Sequence, residues 1–392
     1  MRKKFLVFGK PFIGKEEINE IVDTLQSGWW GTGHKTELFE KQFKKYVGAK
    51  YALAINSATA GMHLALKALK IGPDDEVITT PLTFCSTVNV IEHVGATPVF
   101  ADIDRKDWNI DPEEIEKKIT RKTKAIIPVH LHGRPCNMRD IMRIARRHKL
   151  YVVEDAAHAA EAWYKGKKIG SIGDITVFSF YVTKNIATGE GGMITTDNKQ
   201  WAEKMKVLSL HGLSRDAYKR YSVRYFTSYE CLVPGFKYNM TDIQASLGIH
   251  QLARVEENLL IRNKYWNMYD KAFQNNDLVT IPASDEKNSR HARHLYAILL
   301  NLEKLHVTRD MFIDALIKQN IGSGVHFTPV HLHPYYRKKY KYKKNDFPNA
   351  EFVGERIVSL PLGANLTKQE IQDVIGAIRQ LLNKKTKFNM LK

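Results

Sequence analysis

The sequence predicts an α/β fold, with a mostly parallel sheet in a large first domain and a smaller α+β domain after it. Strand-like apolar segments alternate with segments of helical period through the first two thirds of the chain. Such alternation is typical of a parallel sheet covered by helices on both faces. The chain has 392 residues, which exceeds one ordinary core and favours two domains.

The elements of the first part follow from short β-branched runs and from apolar residues at helical spacing. Strands are predicted over 52–56, 76–79, 97–102, 125–130 and 151–154. Helices are predicted over 16–26, 60–69, 86–94, 111–119 and 138–148. A further apolar stretch through Phe178 is predicted as a strand that ends at Lys184.

The second part begins with a long helix, which Thr241-Asp-Ile-Gln starts and which continues past Tyr265. Strands over 295–301 and 324–327 and helices over 309–319 and 368–381 follow. We therefore expect a large domain over 1–257 and a small domain over 258–392, with the boundary inside helix.

Polar residues and one proline stand at or just after the predicted strand ends: Asn56, Pro81, Asp102, His130 and Asp155. Ligands of such sheets bind at the carboxyl ends of the strands, so the topology predicts that these residues cluster.

Asp155 and Lys184 are the most informative of these residues, and they stand 29 residues apart. A lysine can bond covalently to pyridoxal phosphate, and a carboxylate can pair with the protonated nitrogen of its pyridine ring. An aspartate at this place is also a common helix N-cap. A lysine inside an apolar stretch, however, is unusual unless it is paired or reactive.

The turn Ser57-Ala58-Thr59-Ala-Gly61 joins a predicted strand to a helix, where backbone amides can bind a phosphate. Such turns are often small and polar only because they cap the helix. Together with Asp155 and Lys184, the phosphate interpretation becomes the better one, and Ser179 would add a hydroxyl.

Other candidates have structural alternatives of similar or greater weight. Phe84 is equally suited to stacking on a flat ring and to packing in the core. His158 could orient Asp155 or contact the ring, although a histidine near a helix start is more often structural. Gly189, Gly191 and Gly192 permit a tight turn.

Two segments nearer the C-terminus are candidate substrate contacts. Lys237 and Asn239 precede the long helix in what is otherwise a loop with an N-cap. His326, His331 and His333 lie close together, but no carboxylate or cysteine is interleaved with them. Contacts to a substrate through His326 and His331 are therefore favoured over a metal site, and no metal is expected.

The net charge of +18 admits an anionic small molecule or nucleic acid as partner. The basic run over 337–344 favours a solvated loop, because no nucleic-acid-binding motif stands beside it. No apolar run is long enough for a membrane span, and the first residues do not form a signal peptide. Three cysteines without metal spacing are typical of reduced thiols, so a cytoplasmic protein is expected.

Several motifs in combination resemble the DegT/DnrJ/StrS family of pyridoxal-phosphate enzymes, mainly nucleotide-sugar aminotransferases. The motifs are Ser57-Ala-Thr-Ala-Gly-Met-His, Glu154-Asp-Ala-Ala-His-Ala, Lys184-Asn-Ile and Gly189-Glu-Gly-Gly, within a resemblance over 27–362. They resemble most the branch that makes UDP-4-amino-4-deoxy-L-arabinose, although that branch has tryptophan where this chain has Phe84.

The resemblance implies the fold type I architecture of pyridoxal-phosphate enzymes and a homodimer with shared active sites. It implies Lys184 as the cofactor-bonded lysine, Asp155 at the pyridine nitrogen and Phe84 on the ring. Ala58, Thr59 and Ser179 would hold the phosphate, with Asn239 reaching in from the partner subunit. Related dehydratases have histidine in place of the lysine, so Lys184 argues against that activity.

The resemblance further implies transfer of the amino group of L-glutamate onto a keto-sugar nucleotide, favoured as a UDP-linked 4-keto sugar. A GDP- or dTDP-linked keto-6-deoxyhexose is the alternative acceptor. A regulatory or binding protein on the same scaffold is an alternative of another class, against which the intact Asp155 and Lys184 argue. A DNA-binding protein ranks third. Lipopolysaccharide, O-antigen and other glycans are the expected destinations of the amino sugar.

Overall fold

The computed structural model describes residues 2–214 and 228–383. Within them, seven strands form one sheet in the order β1-β9-β8-β5-β4-β2-β3, and a short hairpin of β6 and β7 lies apart. The strands are β1 (Tyr51–Ile55), β2 (Glu76–Thr79), β3 (Thr97–Phe100), β4 (Thr123–Ile127), β5 (Tyr151–Asp155), β6 (Trp163–Tyr164), β7 (Lys167–Lys168), β8 (Ile175–Ser179) and β9 (Gly192–Thr196).

The mostly parallel sheet predicted from the sequence is confirmed. The five strands β3, β2, β4, β5 and β8 pair in parallel, and β9 runs antiparallel to both β8 and β1. The carboxyl ends of β1, β5 and β8 therefore share one edge with the beginning of β9. At that edge, Gly192 pairs with Ile55 on one side and with Ser179 on the other.

Helices cover both faces of this sheet and bury its aliphatic side chains. They are α1 (Lys15–Gln26), α2 (His34–Val47), α3 (Ala58–Ala68), α4 (Cys85–His93), α5 (Pro112–Lys117), α6 (Met138–His148), α7 (Lys199–Ser209), α8 (Asp242–Ala253) and α9 (Val255–Phe273). Side-chain caps start several of them, for example Ser57 at α3 and Thr241 at α8.

A second core forms around a three-stranded antiparallel sheet near the C-terminus. Its elements include β10 (Val279–Thr280), β11 (Tyr296–Leu300), α10 (Leu302–Leu305), α11 (Arg309–Lys318), β12 (Ile357–Leu360) and α14 (Lys368–Asn383). Between α11 and β12, the helices α12 (Pro334–Tyr340) and α13 (Pro348–Arg356) pack in a further core with Leu82, Val88 and Phe100. The division at 257 and 258 stays a prediction, and this position lies inside α9.

Most predicted elements differ from the structure by a few residues at their ends, and three differ more strongly. Strand β8 ends at Ser179 rather than Lys184, because its partner β9 begins opposite Ser179 and the hydrogen-bond ladder stops there. Residues 324–327 form no strand; only Gly324 pairs, with Ser359, and Pro329 soon interrupts the chain. The long helix is two helices that meet at Arg254, whose guanidinium pairs with Glu17.

Candidate active site

A cavity of about 430 Å³ opens at the carboxyl edge of the large sheet, within the usual range of ligand pockets. Eight residues predicted from the sequence line it: Ala58, Thr59, Phe84, Asp155, His158, Ser179, Lys184 and His326. The ends of β1, β5 and β8 therefore meet around one space, as the parallel topology requires.

One end of the cavity is built from the first turn of α3 and the end of β8. The Ser57 hydroxyl caps α3 by accepting from the amide of Ala60 at 3.1 Å. The amides of Ala58 and Thr59 precede the first intrahelical bonds, and helix ends of this kind bind anions. A Cβ at Gly192 would lie 2.9 Å from the amide nitrogen of Ala58, so only glycine permits this close approach. The arrangement suits a phosphate group.

Asp155 ends β5 and is buried. Its Oδ2 accepts a hydrogen bond from the Thr87 hydroxyl at 2.8 Å, and its Oδ1 accepts one from the Ala157 amide at 3.1 Å. Burial raises the pKa of the Asp155 carboxyl, and these hydrogen bonds and the nearby Lys184 oppose that rise. A cationic partner in the cavity would favour the charged carboxylate further.

Lys184 follows β8 in a turn that its own amide helps to close, by donating to the Tyr181 carbonyl at 2.8 Å. Among the described residues, its side-chain amine has no hydrogen-bond or salt-bridge partner. Burial lowers the pKa of this amine to about 8, although the charge of Asp155 acts in the opposite direction. An amine with this pKa is partly neutral near pH 7 and can act as a nucleophile or base.

Aromatic rings also line the cavity. The exposed ring of Phe84 lies 5.9 Å from the ring of Phe327, and the ring of His158 stacks on Phe327 at 6.0 Å. The His158 Nδ1 accepts from the amide of His132 at 3.2 Å, and burial keeps the pKa of His158 well below its ordinary value. His158 is therefore neutral and presents Nε2–H.

His326 and His331, the two histidines predicted to contact a substrate, lie in different places. His326 lines the cavity, and its Nδ1 lies 2.9 Å from the Ser359 hydroxyl. His331 is fully buried elsewhere, where its Nε2 lies 3.0 Å from Glu351 Oε1. This position does not support the substrate contact expected of His331, because its ring packs against Phe347 and not against the cavity.

Lys237 and Asn239 also lie outside the lining of the cavity. The Lys237 amine donates to the Asn239 side chain at 2.5 Å, and the Asn239 amide donates to the Thr32 hydroxyl at 2.7 Å. Neither residue therefore contacts the site of its own chain. Asn239 nevertheless pairs with Ile55 at the end of β1, so it lies near the same edge of the sheet.

The strand-end cluster predicted from the sequence forms only in part. Asp155 lines the cavity, but Asp102 accepts the amides of Asn349 and Ala350 and so caps α13. His130 lies 2.9 Å from Glu154 in the interior. These two residues serve the fold because nearby polar groups already satisfy them.

Sequence reasoning missed several groups at the site. Thr87 holds Asp155, and Tyr181 and Glu190 line the cavity. Thr87 stands three residues after Phe84, so the helical spacing of α4 was the available signal. Among residues 2–214 and 228–383, no cluster of three or more acidic, histidine or cysteine side chains has the geometry of a metal site. No helix in this part of the chain is long and apolar enough to cross a bilayer.

Comparison with known proteins identifies the family of this chain. A model of the DegT/DnrJ/EryC1/StrS aminotransferase family matches residues 11–379. The chain belongs to this family. The family resemblance and the enzymatic class predicted from the sequence are thereby confirmed.

Relatives agree with this membership. The spore coat polysaccharide biosynthesis protein SpsC of Bacillus subtilis is 51% identical over 97% of this chain and 98% of its own. A putative sugar aminotransferase of Streptococcus pneumoniae in its PMP-form matches with a TM-score of 0.91 and 34% identity, over 97% of this chain and 100% of that one. PseC of Helicobacter pylori, an aminotransferase of pseudoaminic acid biosynthesis, matches with a TM-score of 0.90 and 29% identity, over 97% and 100% of the two chains.

The predicted cofactor is confirmed as well. Enzymes of this family use pyridoxal phosphate, and the Streptococcus pneumoniae protein is also known in its PLP-form. The residues of the cavity fit this group: a helix N-terminus with hydroxyls at one end, a buried carboxylate, an exposed aromatic ring and a lysine whose amine is unpaired within the described residues.

Proposed function

We propose that this enzyme transfers the amino group of L-glutamate onto a keto-sugar nucleotide, with a UDP-linked 4-keto sugar as the favoured acceptor. The observation that carries the proposal is the meeting of Lys184, Asp155 and the first turn of α3 in one cavity. Membership of a sugar aminotransferase family supports the reaction type. The motifs that resemble the UDP-4-amino-4-deoxy-L-arabinose branch support the choice of acceptor.

Each cofactor-binding residue then has a distinct task. Ala58, Thr59 and Ser179 hold the phosphate, Phe84 and His158 contact the ring, and Asp155 keeps the pyridine nitrogen protonated. The bound cofactor supplies an electron sink for the carbon that loses its proton. Lys184 would hold the cofactor through its side-chain amine.

Lys184 also moves the proton in this proposal. When it is not bonded to the cofactor, the side-chain Nζ would be a free base. Its pKa of about 8 would let the neutral amine accept a proton from the substrate carbon near neutral pH and deliver that proton to a second carbon in the same cavity. The second half of the reaction uses the same base in the opposite direction, with the keto sugar as acceptor.

The acceptor sugar would enter over the open side of the cavity, where His326, Tyr181 and Glu190 present polar groups. SpsC acts in spore coat polysaccharide synthesis and PseC in pseudoaminic acid synthesis, by their names. These relatives support an amino sugar made for a surface glycan such as lipopolysaccharide or O-antigen. The three free cysteines support a cytoplasmic location.

We further propose a homodimer in which Asn239 and Lys237 act on the site of the partner subunit. Two observations support this arrangement. Asn239 lies near the carboxyl edge of the sheet but outside the cavity of its own chain. Helix α1 also exposes Ile18, Val22 and Leu25, an apolar face suited to an interface.

The visible absorbance of the purified enzyme tests the reaction. We expect a yellow band from lysine-bound cofactor, its loss on addition of L-glutamate, and its return with the correct keto-sugar nucleotide. Lys184→Ala should retain the fold and abolish turnover. A colourless protein that pyridoxal phosphate and glutamate leave unchanged would contradict the proposal, as would normal turnover by Lys184→Ala.

Mixed dimers test the shared sites. Lys184→Ala and Asn239→Ala subunits, each impaired alone, should regain activity when they are dissociated and reassembled together. One of the two sites in such a dimer combines the intact Lys184 of one chain with the intact Asn239 of the other. If each site used only its own chain, both sites would stay defective and mixing would restore no activity.

A further inference from the structure

A buried polar cluster lies directly behind Lys184, outside the lining of the cavity. It consists of Asn185 and three residues that are nearly inaccessible: Glu161, Arg262 and His294, with exposures of 0%, 3% and 5%. Burial of charged groups is costly unless they are paired and hydrogen-bonded, so the contacts of this cluster need a reason.

Both the Nδ2 and the Oδ1 atom of Asn185 form hydrogen bonds in this cluster. Its Nδ2 donates to Glu161 Oε2 at 2.9 Å and to the Ala292 carbonyl at 3.1 Å. Both partners are acceptors only, which fixes the orientation of the amide. The Oδ1 of Asn185 therefore faces His294, whose Nδ1 donates to it at 3.0 Å. The residue next to Lys184 is thus held from three directions.

Glu161 is held in turn by two arginines. The Arg262 guanidinium, on α9, pairs with the Glu161 carboxylate, and its Nε donates to the Arg293 carbonyl at 3.1 Å. The Arg290 guanidinium donates to the Glu161 carbonyl at 3.0 and 2.6 Å. The cluster therefore ties the turn that carries Lys184 to α9 and to residues 290–294.

The cluster also contacts a residue of the cavity lining through the ring of His294. The ring of His294 lies 4.6 Å from the ring of His158, which lines the cavity. The same hydrogen-bonded unit thus supports both the residue after Lys184 and the histidine beside the predicted ring position.

We propose that Asn185, held by Glu161, is a positioning residue that directs Lys184 into the cavity. The inference rests on the proposed role of Lys184. The Lys184 amine has no hydrogen bond to another described residue, so its direction must come from its backbone. That backbone is fixed by the bond to the Tyr181 carbonyl on one side and by the Asn185 side chain on the other.

Asn185→Ala tests this role in the cofactor-loaded enzyme. We expect kcat to fall by about 10- to 100-fold with little change in KM, because a displacement of ~1 Å at a reacting group can cost about 10²-fold. We also expect the pH midpoint of the visible band of lysine-bound cofactor to shift, since that band reports the surroundings of the Lys184 nitrogen and not turnover.

Asn137→Ala is the matched control. The Asn137 side chain also makes three hydrogen bonds, at the start of α6 and outside the cavity lining: two with Asp140, at 3.4 and 2.7 Å, and one with the Tyr164 hydroxyl, at 2.9 Å. This variant should lose stability but keep the kcat and the band midpoint of the unchanged enzyme. If Asn185→Ala matches this control in kcat and in band midpoint, the positioning role is wrong.

Glu161→Gln is a second variant that preserves shape should Asn185→Ala fail to fold. A glutamine amide cannot accept from Asn185 and Arg262 with both of its ends, so kcat and the band midpoint should change in the same direction as in Asn185→Ala. The double variant should be no slower than the slower single variant. Losses that multiply would show that the two residues act separately and would overturn the proposed link.

Lys184→Ala separates the two levels of inference. Turnover by that variant would contradict the proposed function itself. An inactive Lys184→Ala together with unchanged kinetics and spectrum in Asn185→Ala and Glu161→Gln would refute only the positioning role.

Discussion

Asp102 and Asp155 occupy corresponding places in the fold, yet they do different work. Asp102 comes two residues after β3 and Asp155 is the last residue of β5, and each is nearly buried, with exposures of 6% and 4%. Asp102 accepts the amides of Ile103, Asn349 and Ala350 and closes the start of α13. Among the residues that the structure describes, the Asp155 carboxylate accepts hydrogen bonds only from Thr87 and Ala157, and Asp155 lines the cavity.

The difference shows that a strand-end carboxylate is not a functional group by position alone. The two amides of α13 come from a segment about 250 residues away in sequence, and they satisfy both oxygens of Asp102. The carboxylate of Asp155 keeps capacity for a further partner beside Lys184. A carboxylate at this edge of the sheet can therefore act chemically only if residues distant in sequence do not already satisfy both of its oxygens.

The largest expected effect concerns turnover. Asp155→Asn should reduce kcat by at least about 10²-fold, because an amide cannot keep the bound pyridine nitrogen protonated; this loss corresponds to about 2.7 kcal/mol in the activation barrier. Asp102→Asn should leave kcat and KM within about twofold, since it is expected to affect folding alone. Steady-state kinetics of both variants, loaded with cofactor, would check this contrast. An equal loss of kcat in both would remove the distinction between the two aspartates.

Asp155 lies at the end of β5, as predicted, but the strand-end pattern alone could not separate it from Asp102. The pairing with Lys184 and the family resemblance singled out Asp155. Both have the same local pattern, an apolar strand followed by a carboxylate, and the partners that distinguish them are distant in sequence. His326 and His331 repeat this lesson: they are five residues apart, yet one lines the cavity and the other packs on Phe347.

Prediction from the sequence was more successful for elements whose bounds depend only on residues within the same segment. The boundaries of β2 and α6 were predicted to the residue, because their apolar periodicity and caps are confined to each segment. The cluster of Glu161, Asn185, Arg262 and His294 was missed, since no periodicity brings together residues from four separate parts of the chain.

The second expected effect concerns the free energy of unfolding, for which Asp102 should matter more than Asp155. Asp102→Asn should lower the free energy of unfolding by about 1–3 kcal/mol. The side-chain NH₂ of the asparagine would face a backbone N–H, and two donors cannot form a hydrogen bond. Asp155→Asn should cost little in the cofactor-free protein. Its amide oxygen can still accept from Ala157, and its NH₂ can donate to the Thr87 hydroxyl, which can donate onward to Thr83 at 2.8 Å. Urea unfolding of the two cofactor-free variants would measure the difference, and a larger loss in Asp155→Asn would contradict it.

The smallest expected effect is a shift in the titration of Lys184, and it tests whether Asp155 acts on Lys184 through charge. Burial lowers the pKa of Lys184 to about 8, and the Asp155 carboxylate raises it against that effect. The neutral amine therefore accumulates as the pH rises through about 8, and acylation of Lys184 in the cofactor-free protein should follow the same curve. Asp155→Asn removes the stabilising negative charge, so the midpoint should move to lower pH and labelling at pH 7 should be faster.

Asp102→Asn should leave the midpoint in place, because its carboxylate does not face the cavity. Mass spectrometry of the Lys184 peptide across pH would record both curves, and a midpoint near the ordinary lysine value of 10.5 in the unchanged protein would show that burial does not activate this amine.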